Sequence, residues 1–185
     1  PRMSEVEAVR HFTRLSQYNH AIELGFYPLG SCTMKYNPKI NEVTARLPGF
    51  TRVHPLQDAS EMQGSLQLMW ELEQALCRLS GFSRVTLQPS AGANGEFTGL
   101  SVIRKAIQAR GEAATRTKVL IPDTAHGTNP ASVVLNHFEP VPIETGPDGV
   151  LLPEAVIPHC DETLAAIMVT NPNKLGIYES RLQAT

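Results

Sequence analysis

The chain has 185 residues, 42% of them hydrophobic, enough apolar material for one ordinary globular domain with its own core. Its 16 basic and 18 acidic side chains give a formal charge of −2 with the signs mixed, which excludes a basic stripe for nucleic acid and a polybasic patch for a membrane. Cys32, Cys77 and Cys160 have no C-x-x-C spacing, no apolar run approaches the roughly 20 residues that cross a bilayer, and the first residues lack the apolar core of a signal peptide. The expectation is a soluble, cytoplasmic protein without a disulfide framework or zinc site.

In chain order, Val6, Val9, Phe12 and Leu15 recur at helical spacing before the pattern fades into Ser16-Gln17-Tyr18-Asn19-His20. Residues 25–39 follow neither period, and their prolines and glycines break helix and strand alike, so an extended loop is expected that needs something to cover. The organisation changes near residue 57, which divides an N-terminal helix and loop segment (1–56) from an α/β segment (57–185). Ser60-Glu61-Met62-Gln63 has the S-x-x-Q form of a capping box. It introduces a stripe of Met62, Leu66, Met69, Leu72, Leu76 and Leu79 ending at Gly81. The stripe is expected to pack in a core, with Trp70 packing on the neighbouring face.

Three strand-loop-helix units are then expected. Val85-Thr86-Leu87 runs into Ser90-Ala91-Gly92-Ala93-Asn94-Gly95-Glu96 and the helical pattern Phe97, Leu100, Ile103, Ile107. Lys118–Pro122 runs into Asp123–Ser132, and Ala165–Thr170 into Asn171–Gly176. Short apolar runs separated by helical stretches read as buried parallel strands, and ligands of such sheets sit beyond the strands' carboxyl ends, so one crevice could receive all three loops. The first loop lacks bulky side chains and precedes a helix, so its N–H groups and the helix dipole would cradle an anion. Its spacing is neither that of a nucleoside-triphosphate loop nor that of a dinucleotide site.

His126 falls at the crevice mouth, placed to stack on a planar ring or to donate a hydrogen bond. Thr128 and Asn129 could bond a ligand oxygen, or Thr128-Asn129-Pro130 could simply make a turn. Glu96 is expected in the first turn of its helix, serving the dipole. His54 reads as a turn residue, and His11, His137 and His159 have no partner spacing. No ligand spacing for a metal is recognisable, and Cys32 has no paired His that would make it a nucleophile. After the third strand a further helix and strand are expected, so the chain reads as cut.

The segments Phe26–Lys39, His54-Pro55, Gln88–Glu96, Ala125–Ser132 and Thr170–Asn173, in this order, resemble the glycine decarboxylase P-protein family. The closer likeness is to the amino-terminal part of subunit 2 in its two-subunit prokaryotic form. The resemblance implies an α/β fold of the PLP-dependent transferase-like kind (fold type I), here a truncated large domain behind an irregular N-terminal segment. It implies pyridoxal 5'-phosphate as cofactor, cradled by Ser90, Ala91, Gly92, Ala93 and Asn94. His126 would be the catalytic residue stacked on the ring, Thr128 would lie near the ring hydroxyl, and Ser31, Thr33 and Lys35 would line the substrate channel. Asn94 stands where relatives commonly carry His or Gln, and Lys174 replaces a small hydroxyl residue. The activity implied is decarboxylation of glycine in the glycine cleavage system, with the aminomethyl group passed to the lipoyl group of the H-protein. P-protein subunit 1 would be the partner in a heterotetramer. In the family, the carboxylate that faces the ring nitrogen and the lysine that holds the cofactor lie in segments outside these residues, so the fragment is expected to be inactive alone. Two other readings stay open here: a non-catalytic truncated subunit that docks as a structural piece, and an unrelated α/β domain that binds a phosphate ligand.

Overall fold

In a computed structural model, residues 2–25 and 36–181 are described, and the chain gathers into two units, Pro1–Ala75 and Leu76–Thr185.

The first unit is helical. Helix α1, Glu5–Ser16, opens on a capping box: Ser4 Oγ accepts from Glu7 N at 3.3 Å, and Ser4 N donates to Glu7 Oε2 at 2.9 Å. That reciprocal pair satisfies donors a bare helix start leaves open. Helices α2 (Lys39–Ala45) and α3 (Pro48–Thr51) follow. A 3₁₀ turn, Ala59–Glu61, precedes α4, Gln63–Ser80, which crosses from one unit into the next.

Two expectations fail at α4. Ser60 does not cap it, because the Asp58 carboxylate accepts both Ser60 N (2.8 Å) and Ser60 Oγ (2.6 Å), while Gln63 Nε2 donates to Ala59 O. The stripe does not form a core either: no α4 residue is buried, and Leu66, Met69, Trp70, Leu72 and Leu79 are exposed. Helical periodicity specifies that one face is apolar; it does not specify what covers that face. Gly81, at φ +76°, ends the helix as the pattern predicts, since a side chain is strained in that backbone region.

The second unit is built on α5 (Gly92–Ala109), β1 (Lys118–Pro122), α6 (Thr128–Leu135), β2 (Glu139–Ile143), α7 (Pro153–Val156) and β3 (Leu164–Ile167). Its sheet is parallel in the order β2-β1-β3, with Lys118 opposite Glu139 on one side and Leu164 on the other. Strand period 2 divides β1 between two cores. Val119 and Ile121 pack with Leu100, Ile107, Val133 and Phe138 from α5, α6 and the chain following α6, whereas Leu120 packs with Ile143, Leu151 and Val156. The entry to β3 is tied by Arg116, whose Nη1 donates to Leu164 O at 2.7 Å and whose Nε pairs with Glu112.

The expected first strand is absent: Val85-Thr86-Leu87 has no ladder among the described residues. Three residues before Pro89 are too short a run to specify a strand without a partner. The third member of the sheet is instead β2, Glu139-Pro140-Val141-Pro142-Ile143, which the sequence reading passed over. Its odd-numbered residues bond toward β1, with Glu139 N donating to Thr117 O and Ile143 O accepting from Asp123 N. Pro140 and Pro142, the residues lacking an N–H, fall on the alternate positions of this edge strand, where no ladder bond is lost. The strand expected over Lys118–Pro122 forms with those bounds, the one expected over Ala165–Thr170 forms as Leu164–Ile167, ending three residues earlier, and Pro158 falls in a 3₁₀ turn, Ile157–His159, that succeeds α7.

Candidate functional site

Strand β1 ends at Pro122, and the chain then needs fixed turns to reach α6. Asp123 supplies one: its N bonds to Ile143 O, and its Oδ1 accepts from Thr145 N (3.2 Å) and Thr145 Oγ1 (2.9 Å). His126 is held next, its N donating to Thr170 Oγ1 at 3.1 Å and its carbonyl accepting from Asn129 N. Thr170 Oγ1 in turn donates to Oδ1 of the buried Asn129 at 3.3 Å. The His126 loop and the loop after β3 are therefore one hydrogen-bonded assembly, closed further by Lys174 N donating to Thr124 O. Beside it lies a cavity of about 350 Å3 lined mainly by apolar groups, among them Ile121, Ala125, Pro130 and Pro142, with His126 and Lys174 on its wall.

The imidazole is tied on one edge. Nδ1 lies 2.8 Å from Thr128 Oγ1, which lies 2.9 and 2.8 Å from Glu96 Oε1 and Oε2. Ser132 Oγ also donates to Glu96 Oε2, at 3.1 Å. Glu96 is thus in the second turn of α5, not the first, and its carboxylate is turned toward the start of α6 rather than reserved for its own helix dipole. The sequence reading missed this role, along with Ser132 and Thr170. A hydroxyl at 128 and another at 132 share one face of α6, which is the signal that could have pointed to a common acceptor.

At the other end of this link, α5 begins at Gly92 behind Ala91, whose backbone is extended (φ −158°, ψ 173°) and whose side chain offers no cap. Ser90 Oγ bonds to Asn94 Oδ1 at 3.2 Å instead of capping the first turn. A Cβ added at Gly92 or Gly95 would meet nothing within 4 Å. An 18-residue helix with an uncapped, small-residue start standing in open space is a donor set that fits a phosphate, and this fit comes from the backbone alone. Ser90, Ala91, Gly92, Ala93 and Asn94 are exposed and contribute no lining to the cavity beside His126; their connection to His126 runs along α5 to Glu96 and Thr128. Ser31, Thr33 and Lys35 lie outside the described residues, as does Cys32. His54 is in a turn, its Nδ1 accepting from Leu56 N.

The loop after β3 is anchored by a buried carboxylate that the sequence reading did not single out. Glu179 is 6% exposed, accepts from Leu151 N at 2.8 Å on Oε2, and accepts from Asn173 Nδ2 at 3.1 Å on Oε1. Asn173 Nδ2 also donates to Gly149 O, and its Oδ1 accepts from Leu175 N and Ile177 N. Gly149 stands at φ +74°, where a side chain is strained, and an added Cβ would meet Leu175 Cδ1 at 2.7 Å, so the Leu175 side chain would have to shift.

Among known proteins, the chain is 52% identical over 182 residues to the probable glycine dehydrogenase (decarboxylating) subunit 2 of Bacillus licheniformis, and 53% identical over 182 residues to that of Thermococcus kodakarensis. Each alignment takes in 98% of this chain, and the chain spans 37% and 36% of the length of these two relatives. No family model matches the chain. A crystal structure of glycine decarboxylase (P-protein) of the glycine cleavage system, in inhibitor-bound form, superposes with a TM-score of 0.68 and 20% identity. That superposition covers 96% of this chain and 39% of the other, and it confirms the fold expected from the sequence. Similarity at this level also sets aside the reading as an unrelated phosphate-binding domain.

Proposed function

From a chain homologous over nearly its whole length to part of glycine dehydrogenase (decarboxylating) subunit 2, we propose a contribution to a pyridoxal-phosphate-dependent glycine decarboxylase of the glycine cleavage system. The observation that carries this reading is the uncapped start of α5, linked through Glu96 and Thr128 to the His126 ring. Backbone N–H groups of Ala91, Gly92, Ala93 and Asn94, with the Ser90 hydroxyl, bind the phosphate, and the positive end of α5 favours its charge. His126 orients the cofactor by stacking on its ring. Thr128, its proton committed to Glu96, meets the ring hydroxyl as an acceptor. When bound, pyridoxal phosphate supplies the electron sink for the pair left behind as the glycine carboxylate departs as carbon dioxide. Ser31, Thr33 and Lys35 line the channel by which glycine enters. P-protein subunit 1 is the partner in a cytoplasmic heterotetramer, and the H-protein receives the aminomethyl group on its lipoyl group. Among the described residues no helix is long and apolar enough to cross a membrane.

The test places an anion where the phosphate is to sit. Ala91→Asp supplies the cap that α5 lacks, which stabilises the helix while occupying its free donors. In the intact protein with its partner subunit, pyridoxal phosphate should bind at least about tenfold more weakly to this variant, the equivalent of one charge-assisted bond, while pyridoxal without the phosphate binds as before. Equal affinity of the variant and the unaltered protein for pyridoxal phosphate would overturn the proposal. So would a failure of the unaltered assembly to release carbon dioxide from glycine when given cofactor and lipoylated H-protein.

A further inference from the structure

Three hydrogen-bonding groups meet at the Thr128 hydroxyl, and it has a single proton to give. It lies 2.8 and 2.9 Å from the two oxygens of Glu96 and 2.8 Å from His126 Nδ1. A carboxylate outcompetes a neutral ring nitrogen for that proton, because a hydrogen bond to an ionised acceptor is roughly twice as strong. With the proton on the Glu96 side, the hydroxyl oxygen offers the ring lone pairs alone, and a 2.8 Å contact between them requires Nδ1 to be the donor. The backbone N–H of Thr128, at 3.2 Å from Nδ1, is the longer contact and would require the opposite tautomer. Ser132 Oγ, donating to the same carboxylate at 3.1 Å, holds Glu96 in place against the start of α6.

We infer that Glu96 is a positioning residue: through Thr128 it fixes the proton of neutral His126 on Nδ1 and leaves Nε2 as a bare acceptor. Nε2 has no partner among the described residues, and the ring stands on the wall of the cavity. The ring therefore presents a lone pair, not an N–H, to whatever polar group approaches its outer edge, and a ligand carrying a donor hydroxyl or ammonium is favoured there over one carrying an acceptor. Of the charged groups nearby, the Asp123 carboxylate is engaged with Thr145 and Lys174 shares the cavity wall. The inference deepens the reading of His126 as the residue facing the cofactor ring. It is read out without cofactor, so its failure is distinguishable from a failure of that reading.

The experiment is ¹⁵N chemical-shift measurement on the intact protein labelled at histidine, at a pH of about 8.5, well above the ordinary imidazole range. His126 is assigned by the resonance that His126→Gln removes. The unaltered protein should show the Nδ1–H tautomer. Glu96→Ala frees the Thr128 proton to turn toward the ring, and Thr128→Val leaves the backbone N–H as the ring's sole neighbour; each should shift the tautomer ratio about tenfold toward Nε2–H. Ser101→Ala removes another part-buried bond between α5 and the end of α6, to Asn136 Oδ1 at 2.7 Å, which involves none of Glu96, Thr128 and His126, and should leave the ratio where it was. An Nε2–H tautomer in the unaltered protein, or an unmoved ratio in both Glu96→Ala and Thr128→Val, would overturn the assignment.

Discussion

Glu179→Gln replaces a carboxylate by its nearest isostere and isolates a question of donor counting. In the native arrangement each oxygen of Glu179 serves a different buried donor, Leu151 N at 2.8 Å and Asn173 Nδ2 at 3.1 Å. Leu151 is 1% exposed and Asn173 5%, so water replaces neither bond. A glutamine has one oxygen. Whichever way its amide turns, one contact becomes a nitrogen facing a donor, and one buried N–H loses its acceptor, at a cost of about 1–3 kcal/mol. The loss is local to the junction of the 149–151 and 171–179 segments, where Asn173 also organises Leu175 N and Ile177 N. In hydrogen-exchange mass spectrometry of the intact protein, peptides carrying the Leu151 amide should exchange about five- to 150-fold faster, the same energy expressed as an opening equilibrium. Exchange there at the native rate would refute the reasoning. The effect should extend to Lys174, whose N bonds to Thr124 O two residues before His126.

Elsewhere, Leu120→Ala empties a site 1% exposed between Ile143, Leu151 and Val156, and should cost roughly 2–5 kcal/mol in urea denaturation of the intact protein. A cost under about 1 kcal/mol would mean that the core collapses around the gap. The Glu7 carboxyl is held below the usual carboxylate range, first by the Ser4 backbone N–H and then by the Ser4 hydroxyl. Its contribution to α1 is therefore fully present above the ordinary carboxylate pKa and is lost as pH falls through the lowered one. Exchange protection of the α1 amides should weaken on acidification in that window, and Glu7→Gln should remove this dependence.

What the sequence made legible was what local pattern and backbone chemistry decide. The continuous apolar run within Lys118–Pro122, the small-residue start of α5, Gly81 as a helix terminator and the helical spacing of Leu100 and Ile107 follow from steric and hydrophobic rules that act over a few residues. The misreadings arose where a choice among partners decides. The Ser60 hydroxyl could accept from a helix N–H or donate to a carboxylate, and the nearby Asp58 won. The apolar residues 85–87 needed a ladder that Glu139–Ile143 occupies instead, a segment hidden because two prolines within five residues argue against a strand unless it lies at an edge. For the candidate site, the sequence put His126 and the 90–94 cradle at strand ends. Glu96, Thr170 and Glu179 act across 32, 44 and 28 residues of chain, beyond the reach of any local spacing rule.

The two prolines of β2 also make the sheet directional. With Pro140 and Pro142 on the outer positions, that border offers a newcomer carbonyls without the matching amide hydrogens, so it resists extension and accidental self-association alike. The far border, β3, carries Ala165, Ala166 and Ile167 with no such interruption. Any strand that enlarges this sheet, whether from the same polypeptide or another, is steered to the side away from β2. That keeps β1, and with it His126, toward the interior of the growing structure.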